Sequence, residues 1–371
     1  GGYGQAGRAI ADLLLKETAA RITLGGRSLE RAEQAAQQLN LRFPGDRVSA
    51  VCVDACNRDD LRSAFQGIDL VIVASPTTRD TEAVAKEALA AGADYIDIQM
   101  AAGNKLAVLR GMETQVAAAG RCFITEAGFH PGLPAALVRY LATMFDRLDS
   151  AVVAALLSLG GSVHYTESID ELMEVFRNLR GEVFREGRWR TVSWAGVSDM
   201  PRIDFGPPFG KRYTAPMTFE EMRAIPKQFP SLRKTGVYVT GFNWIADFFV
   251  APVMMAAMAV SPEKASRPLG RLYFWAAQTF SSPPYGLVLK AEGVGVKGGE
   301  SKTIEVFLSH EDGYVFTAIP VVACLLQYLD GSARKPGLWM MGHLVDPARL
   351  VADMERMGIR VRLTAGPGIS R

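Results

Sequence analysis

The sequence predicts an α/β protein: a doubly wound parallel sheet in the first third, followed by an α+β region with a mainly antiparallel sheet. Three observations carry this expectation. From residue 8 to about 130, helix-like segments alternate with short strand-like ones, the way a parallel sheet wrapped by helices is written. Each of those strand-like segments is apolar along its whole length, as a strand covered on both faces should be. After about residue 146 the rhythm changes to longer strands, hairpin turns and isolated helices.

Taken in order, GGYGQAG at residues 1–7 opens the chain with the spacing of a phosphate-binding turn, and RAIADLLLKET continues it as a helix. Strand RITLGG follows, then helix SLERAEQAAQQL and strand RVSAVCVD. Helix DDLRSAFQG, strand DLVIVASP, helix TEAVAKEALAAG and strand DYIDIQ come next, and helix LAVLRGMETQVAAAG and strand RCFITEAG complete the series. A glycine turn of this kind normally follows a central strand, and without one two apolar neighbours would be left with open edges. The expectation is therefore that a strand precedes Gly1 in the full protein.

In the second region AVVAALLSL reads as a strand, and SIDELMEVFRNLRG as a helix with capping-box spacing between Ser168 and Glu171 and a stop at Gly181. EVFRE with RWRTVSW, turning at Gly187, and LVLKAEGVG with SKTIEVFLS, joined by VKGGE, read as hairpins. The run 200–216, MPRIDFGPPFGKRYTAP, is expected to be a long surface loop. WIADFFVAPVMMAAMAV, 244–260, is interrupted by Asp247 and Pro252 and falls short of the ~20 residues that span a bilayer, so a core helix is expected there.

At 371 residues two domains are expected: 1–130 for dinucleotide binding and 131–335 for substrate, with 336–371 packing back on the first. The 41 Lys and Arg nearly balance 39 Asp and Glu and are scattered, so neither nucleic acid nor a membrane is expected as partner. Cys52, Cys56, Cys122 and Cys324 lack redox or zinc spacing, which fits the reducing cytoplasm.

Gly2, Gly4 and Gly7 make G-x-G-x-x-G, with Tyr3, Gln5 and Ala6 in the same loop. The first glycine permits the tight turn, the second lets the backbone approach a pyrophosphate, and the third lets helix and strand sit close. Where an NAD site carries an acid at the end of the next strand, this chain has Arg27 and Ser28, with Arg31 one helical turn on. Those groups suit a 2′-phosphate that a carboxylate would repel, so NADP is expected in preference to NAD. Asp54 is placed to border the adenine, and Ser75 and Pro76 to line the nicotinamide side.

Two later strand ends hold groups fit for proton transfer: Asp97 in YIDIQ, and Glu126 with His130 in EAGFHPG. His130 precedes a turn into a helix, whose positive end disfavours imidazolium. His164, His310 and His343 show no metal spacing, and no zinc site is expected. Arg185, Arg188 and Arg190 alternate on one strand face and read as solvated; they and Lys211, Arg212 and Tyr213 have a lesser claim on a substrate carboxylate. No G-x-S-x-G nucleophile turn is present, which argues against a hydrolase.

At GGYGQAGRAIADLL, LGGRSLERAEQAA, VDACNRDDLRSAFQGIDLVIVASP and EAGFHPGLPAALV the chain resembles the saccharopine dehydrogenase-like NAD(P)-binding oxidoreductases. The likeness returns in DGYVFTAIPVVACLLQYLDG and PGLWMMGHLVDPARLVADMERMGIRV. The resemblance implies a Rossmann domain that the chain leaves and rejoins near its C-terminus, with an inserted α+β domain that binds a small-molecule substrate and pairs subunits into a homodimer. It also implies one of the family's activities, which form or cleave secondary amines joined to amino acids, oxidise amino groups or reduce other polar double bonds; the leading expectation is hydride transfer at a carbon bonded to nitrogen, in an amino acid or imine. Relatives commonly carry an acidic residue where His130 stands. Two rival readings are an NADPH-dependent enoyl-type C=C reductase and an NADP-binding sensor without turnover.

Overall fold

The computed structural model describes residues 1–101, 103–158, 160, 181–192, 200–260 and 262–367. The chain is divided into two compact units, one formed by Gly1–Ala136 with Tyr314–Met357 and the other by Leu137–Gly313 with Gly358–Arg371.

In the first unit helix α1 (Gln5–Glu17) leads to strand β1 (Ile22–Gly26), helix α2 (Leu29–Arg42) and strand β2 (Val48–Cys52). β1 and β2 pair in parallel, and Ala11, Leu15, Ala35, Ala36 and Leu39 from the two helices pack with Leu24 and Val48. The buried positions of α1, Ile10, Ala11, Leu14 and Leu15, recur at helical spacing and so form one stripe. Next come α3 (Arg58–Ala64), β3 (Leu70–Val73), α4 (Thr81–Ala90), β4 (Asp94–Asp97), α5 (Lys105–Ala118) and β5 (Cys122–Thr125). β3, β4 and β5 lie side by side in parallel. Among the described residues β1–β2 and β3–β4–β5 belong to separate sheets, and Gly1 and Gly2 run between them: Gly2 N–H donates to Gly25 O at 2.9 Å, while a Cβ on Gly1 would meet Ala74 O at 2.4 Å.

Helix α6 (Leu133–Ala142) carries the chain into the second unit, which is built on one mixed sheet. Its strands are β6 (Arg147–Ser158), β7 (Glu182–Arg185), β8 (Arg188–Thr191), β9 (Arg202–Asp204), β10 (Lys211–Met217), β11 (Lys234–Thr240), β12 (Gly286–Lys297) and β13 (Glu300–His310). β6 and β11 pair in parallel, and the other pairings are antiparallel. Both expected hairpins form. Glu186 and Gly187 turn β7 into β8, and Gly298 and Gly299 turn β12 into β13, each pair with the positive φ angles of a mirror-image two-residue turn.

Helix Gly313–Leu329 leads back to the first unit, where β14 (Gly337–Met340) adds to β5 in parallel. The last strand, β15 (Arg360–Pro367), instead pairs antiparallel with β13. The return to the first unit thus begins at Tyr314, earlier than the expected 336, and it ends at Met357 because the chain beyond satisfies the edge of β13.

Two local expectations need correction. The run 200–216 is not an irregular loop but the hairpin β9–β10. Its tip is held by Phe205 N–H on Gly210 O at 3.0 Å and by Gly206 N–H on the Asp204 carboxylate at 2.8 Å, while Gly206 and Gly210 take left-handed backbone angles. The run 244–260 is helical, as a π turn Ala246–Val250 followed by Ala251–Val260, but it is no simple core helix: Ala246 and Met254 are buried while Trp244, Phe249 and Val253 are each more than 60 % exposed. Among the described residues no helix is long and apolar enough to cross a membrane. The expected helix with Ser168 and Glu171, and His164, lie outside the described residues.

Candidate cofactor-binding site

The glycine turn sits where β1, α1 and the end of β3 converge. Gly4 is the N-cap of α1 and has no side chain to satisfy the helix, so the first-turn N–H groups of Gln5, Ala6 and Gly7 lack intrahelical acceptors. A Cβ on Gly4 would meet only Gly1 O, at 3.2 Å, which leaves the backbone approachable. Gly7 is glycine for a different reason. A Cβ there would lie 2.3 Å from Gly1 O and 3.0 Å from Gly2 Cα. N–H groups without intrahelical acceptors and the positive end of a 13-residue helix together suit a pyrophosphate.

Tyr3 fills the space beside the end of β1: its ring would clash at 2.3 Å with any Cβ on Gly26, and its hydroxyl accepts from Ser28 N–H at 3.1 Å. Arg31 lies over the same ring at 4.8 Å. Arg27 is exposed at the β1 terminus, and Ser28 caps α2 by accepting from Arg31 N–H at 3.3 Å. Asp54 follows β2 and closes a turn by accepting from Cys56 N–H at 3.1 Å. Ser75 and the half-buried Pro76 follow β3, where the Ser75 and Thr77 hydroxyls are 3.1 Å apart.

Asp97 ends β4 completely buried. Its Oδ1 takes the Lys105 ammonium at 2.6 Å together with the N–H groups of Gln99 at 3.1 Å and Glu126 at 3.3 Å; its Oδ2 accepts from Tyr95 at 3.0 Å and Thr125 at 2.8 Å. Lys105 is equally buried and also donates to Gln99 O at 2.6 Å. The carboxylate therefore ties together β4, β5 and the start of α5. Burial first, and the Asp97 charge second, push the Tyr95 hydroxyl well above its usual range, so it stays a donor.

Glu126 is buried just past β5, in the left-handed region at φ 56°. Four residues on, His130 stacks on Phe129 at 5.4 Å between ring centroids, and Phe129 stacks on Phe316 at 4.8 Å. His130 keeps some solvent-accessible surface, yet the protein packed around it lowers its pKa from 6.5 to about 4 by desolvation. The cause is burial. Gly132 closes the turn, since a Cβ there would meet Glu126 O at 2.6 Å and Gly128 O at 2.7 Å.

All the residues expected at the site thus lie in the first unit, at the ends of its parallel strands and the starts of its helices. Lys105, Thr77 and the side chain of Gln99 escaped sequence reasoning. GNKL reads as an ordinary helix start, and nothing in it signals a lysine turned inward. In the second unit Arg190 pairs with Glu186, and Arg223 lies over the Trp189 ring at 4.8 Å. Arg212 donates to Phe209 O at 3.1 Å, and Arg202 covers the Tyr213 ring at 5.1 Å.

The model of the saccharopine dehydrogenase NADP binding domain matches residues 1–121. No curated protein matches the sequence. Among solved structures, apo saccharopine dehydrogenase (L-Glu forming) from Saccharomyces cerevisiae is similar over 98 % of both chains, with a TM-score of 0.73 and 14 % identity. A mutant meso-dapdh with DAP from Clostridium tetani covers 94 % of both chains at 13 % identity, with a TM-score of only 0.43.

A glycine turn among parallel strands that alternate with helices defines a dinucleotide-binding protein of Rossmann type. More particularly, the first 121 residues are similar to the NADP binding domain of saccharopine dehydrogenase.

Proposed function

We propose that this NAD(P)-dependent oxidoreductase prefers NADP and transfers hydride to or from a carbon bonded to nitrogen, in an amino acid or imine. The observation that carries the cofactor preference is Arg27 and Ser28 at the end of β1, the place where an NAD site holds a carboxylate. When bound, the nicotinamide supplies the hydride donor or acceptor. The N–H groups of Gln5, Ala6 and Gly7 hold the pyrophosphate, and the Arg27 guanidinium with the Ser28 hydroxyl takes the 2′-phosphate. Arg31 adds positive charge from above Tyr3.

In this reading Asp97 positions, rather than exchanges, protons: its ion pair with Lys105 and four further hydrogen bonds hold the strand ends in place. His130, with a pKa of about 4, is uncharged at neutral pH, so one ring nitrogen keeps its N–H and the other serves as an acceptor. The second unit is assigned to substrate binding and subunit pairing on the family resemblance. The choice of carbon–nitrogen chemistry draws support from the similarity to a saccharopine dehydrogenase.

The test is NADPH consumption against a panel of keto acids with amines, beside a panel of enoyl thioesters. Turnover confined to the first panel is expected. Turnover confined to the second would mean a C=C reductase, and tight NADPH binding with silence in both would mean a sensor.

A further inference from the structure

Gln99, at the rim of β4, is 4 % exposed and almost fully engaged. Its Nε2 donates to Ser75 O at 2.7 Å and to the Thr77 hydroxyl at 3.2 Å. A main-chain carbonyl can only accept, so the amide cannot be turned round. Its own N–H goes to Asp97 and its own C=O to Lys105. The remaining polar atom, Oε1, is buried and, among the described residues, receives no hydrogen bond. A buried acceptor in that position calls for a donor. Lys105 already directs N–H groups at Asp97 and at Gln99 O, and the Ser75 and Thr77 hydroxyls bond each other.

We propose that Gln99 Oε1 accepts a hydrogen bond from the carboxamide N–H of the nicotinamide, an inference that rests on the cofactor reading above. Ser75 links the two places. Its carbonyl holds the Gln99 amide, and its Cβ lies 2.7 Å from where a Cβ on Gly1 would stand, against the glycine turn. With the pyrophosphate on α1, the nicotinamide half of the dinucleotide extends toward the ends of β3 and β4, where ligands of such sheets lie. An acceptor anchored through Ser75, Thr77, Asp97 and Lys105 would fix the ring's rotation and so select the face offered for hydride transfer.

The test measures the affinity of the full chain for NADP⁺ and for its 3-acetylpyridine analogue, in which a methyl ketone replaces the carboxamide and no N–H remains. The wild type should prefer NADP⁺ by about tenfold, and Gln99→Met should bring that ratio near one. Because each ratio is taken within one protein, a general loss of affinity cancels. Should the variant fail to fold, the wild type still decides: the side-chain carbonyl carbon of Gln99, observed by NMR, should shift with NADP⁺ and not with the analogue. Equal affinities in the wild type, an undiminished preference in the variant, or the same carbon shift with both ligands overturns the role of Gln99 and leaves the cofactor reading standing. No uptake of NADP⁺ by the wild type overturns both.

Discussion

Single side chains divide the site into groups that offer charge and groups that hold shape. Arg27 is exposed at the end of β1, and in the proposed reading its guanidinium takes the 2′-phosphate. Arg27→Asp should weaken NADPH by roughly 30-fold, the loss of a charge-assisted hydrogen bond of about 2 kcal/mol, and change NADH little; parallel losses in two calorimetric titrations would remove Arg27 from the specificity account. His130, stacked on Phe129, also has a consequence for stability as pH changes. Its folded pKa of about 4 lies below the unfolded 6.5, so between those values the unfolded chain binds more protons. The stability it contributes is complete above about pH 6.5 and is lost as pH falls toward 4. Thermal midpoints of His130→Asn should therefore fall less between pH 7 and 5 than those of the wild type, and identical slopes would contradict the assignment. Gly4 and Gly7 were both legible as motif members, but the reasons differ: one leaves an open approach and the other avoids a clash.

Among the elements, β4 shows how a short strand becomes a rim. Its place in the alternating series predicted a covered strand, and Tyr95 and Ile96 are buried as that requires. At its end the buried Asp97, paired with Lys105, links β4 to β5 and α5. Lys105→Met leaves the buried carboxylate without its counter-charge and should cost about 3–5 kcal/mol, read as a lowered unfolding midpoint. Adding Asp97→Asn should recover part of that loss, because the stranded charge is then gone. A single variant as stable as the wild type would show that the pair does not hold the rim. The hairpin β9–β10 teaches a complementary lesson. Proline and glycine in MPRIDFGPPFGKRYTAP spoke for irregular chain, yet buried Phe205 and the two left-handed glycines make a tight reversal of it. Composition alone does not distinguish a loop from a hairpin whose tip is anchored.

In the molecule as a whole, the chain leaves the first unit at Ala136, rejoins it at Tyr314 and leaves again at Met357. β15 then covers β13 from Lys302 to Ser309, and Arg362 lies 4.0 Å over the Phe307 ring. A chain ending at Met357 would expose that edge of β13. Edge-to-edge association, seen as a rise in scattering mass together with a lowered melting temperature, is the expected result. A monodisperse product melting like the wild type would mean that β15 contributes little to the second unit.

The alternating helices and strands, the glycine turn and the Arg27–Ser28 terminus were all readable from residue order, because periodicity, turn chemistry and charge are local properties. The buried pairing of Lys105 with Asp97, the anchored amide of Gln99 and the placement of β15 on β13 were not. Each depends on segments that meet only after the chain has closed on itself, where desolvation makes a partner obligatory without the sequence naming which one.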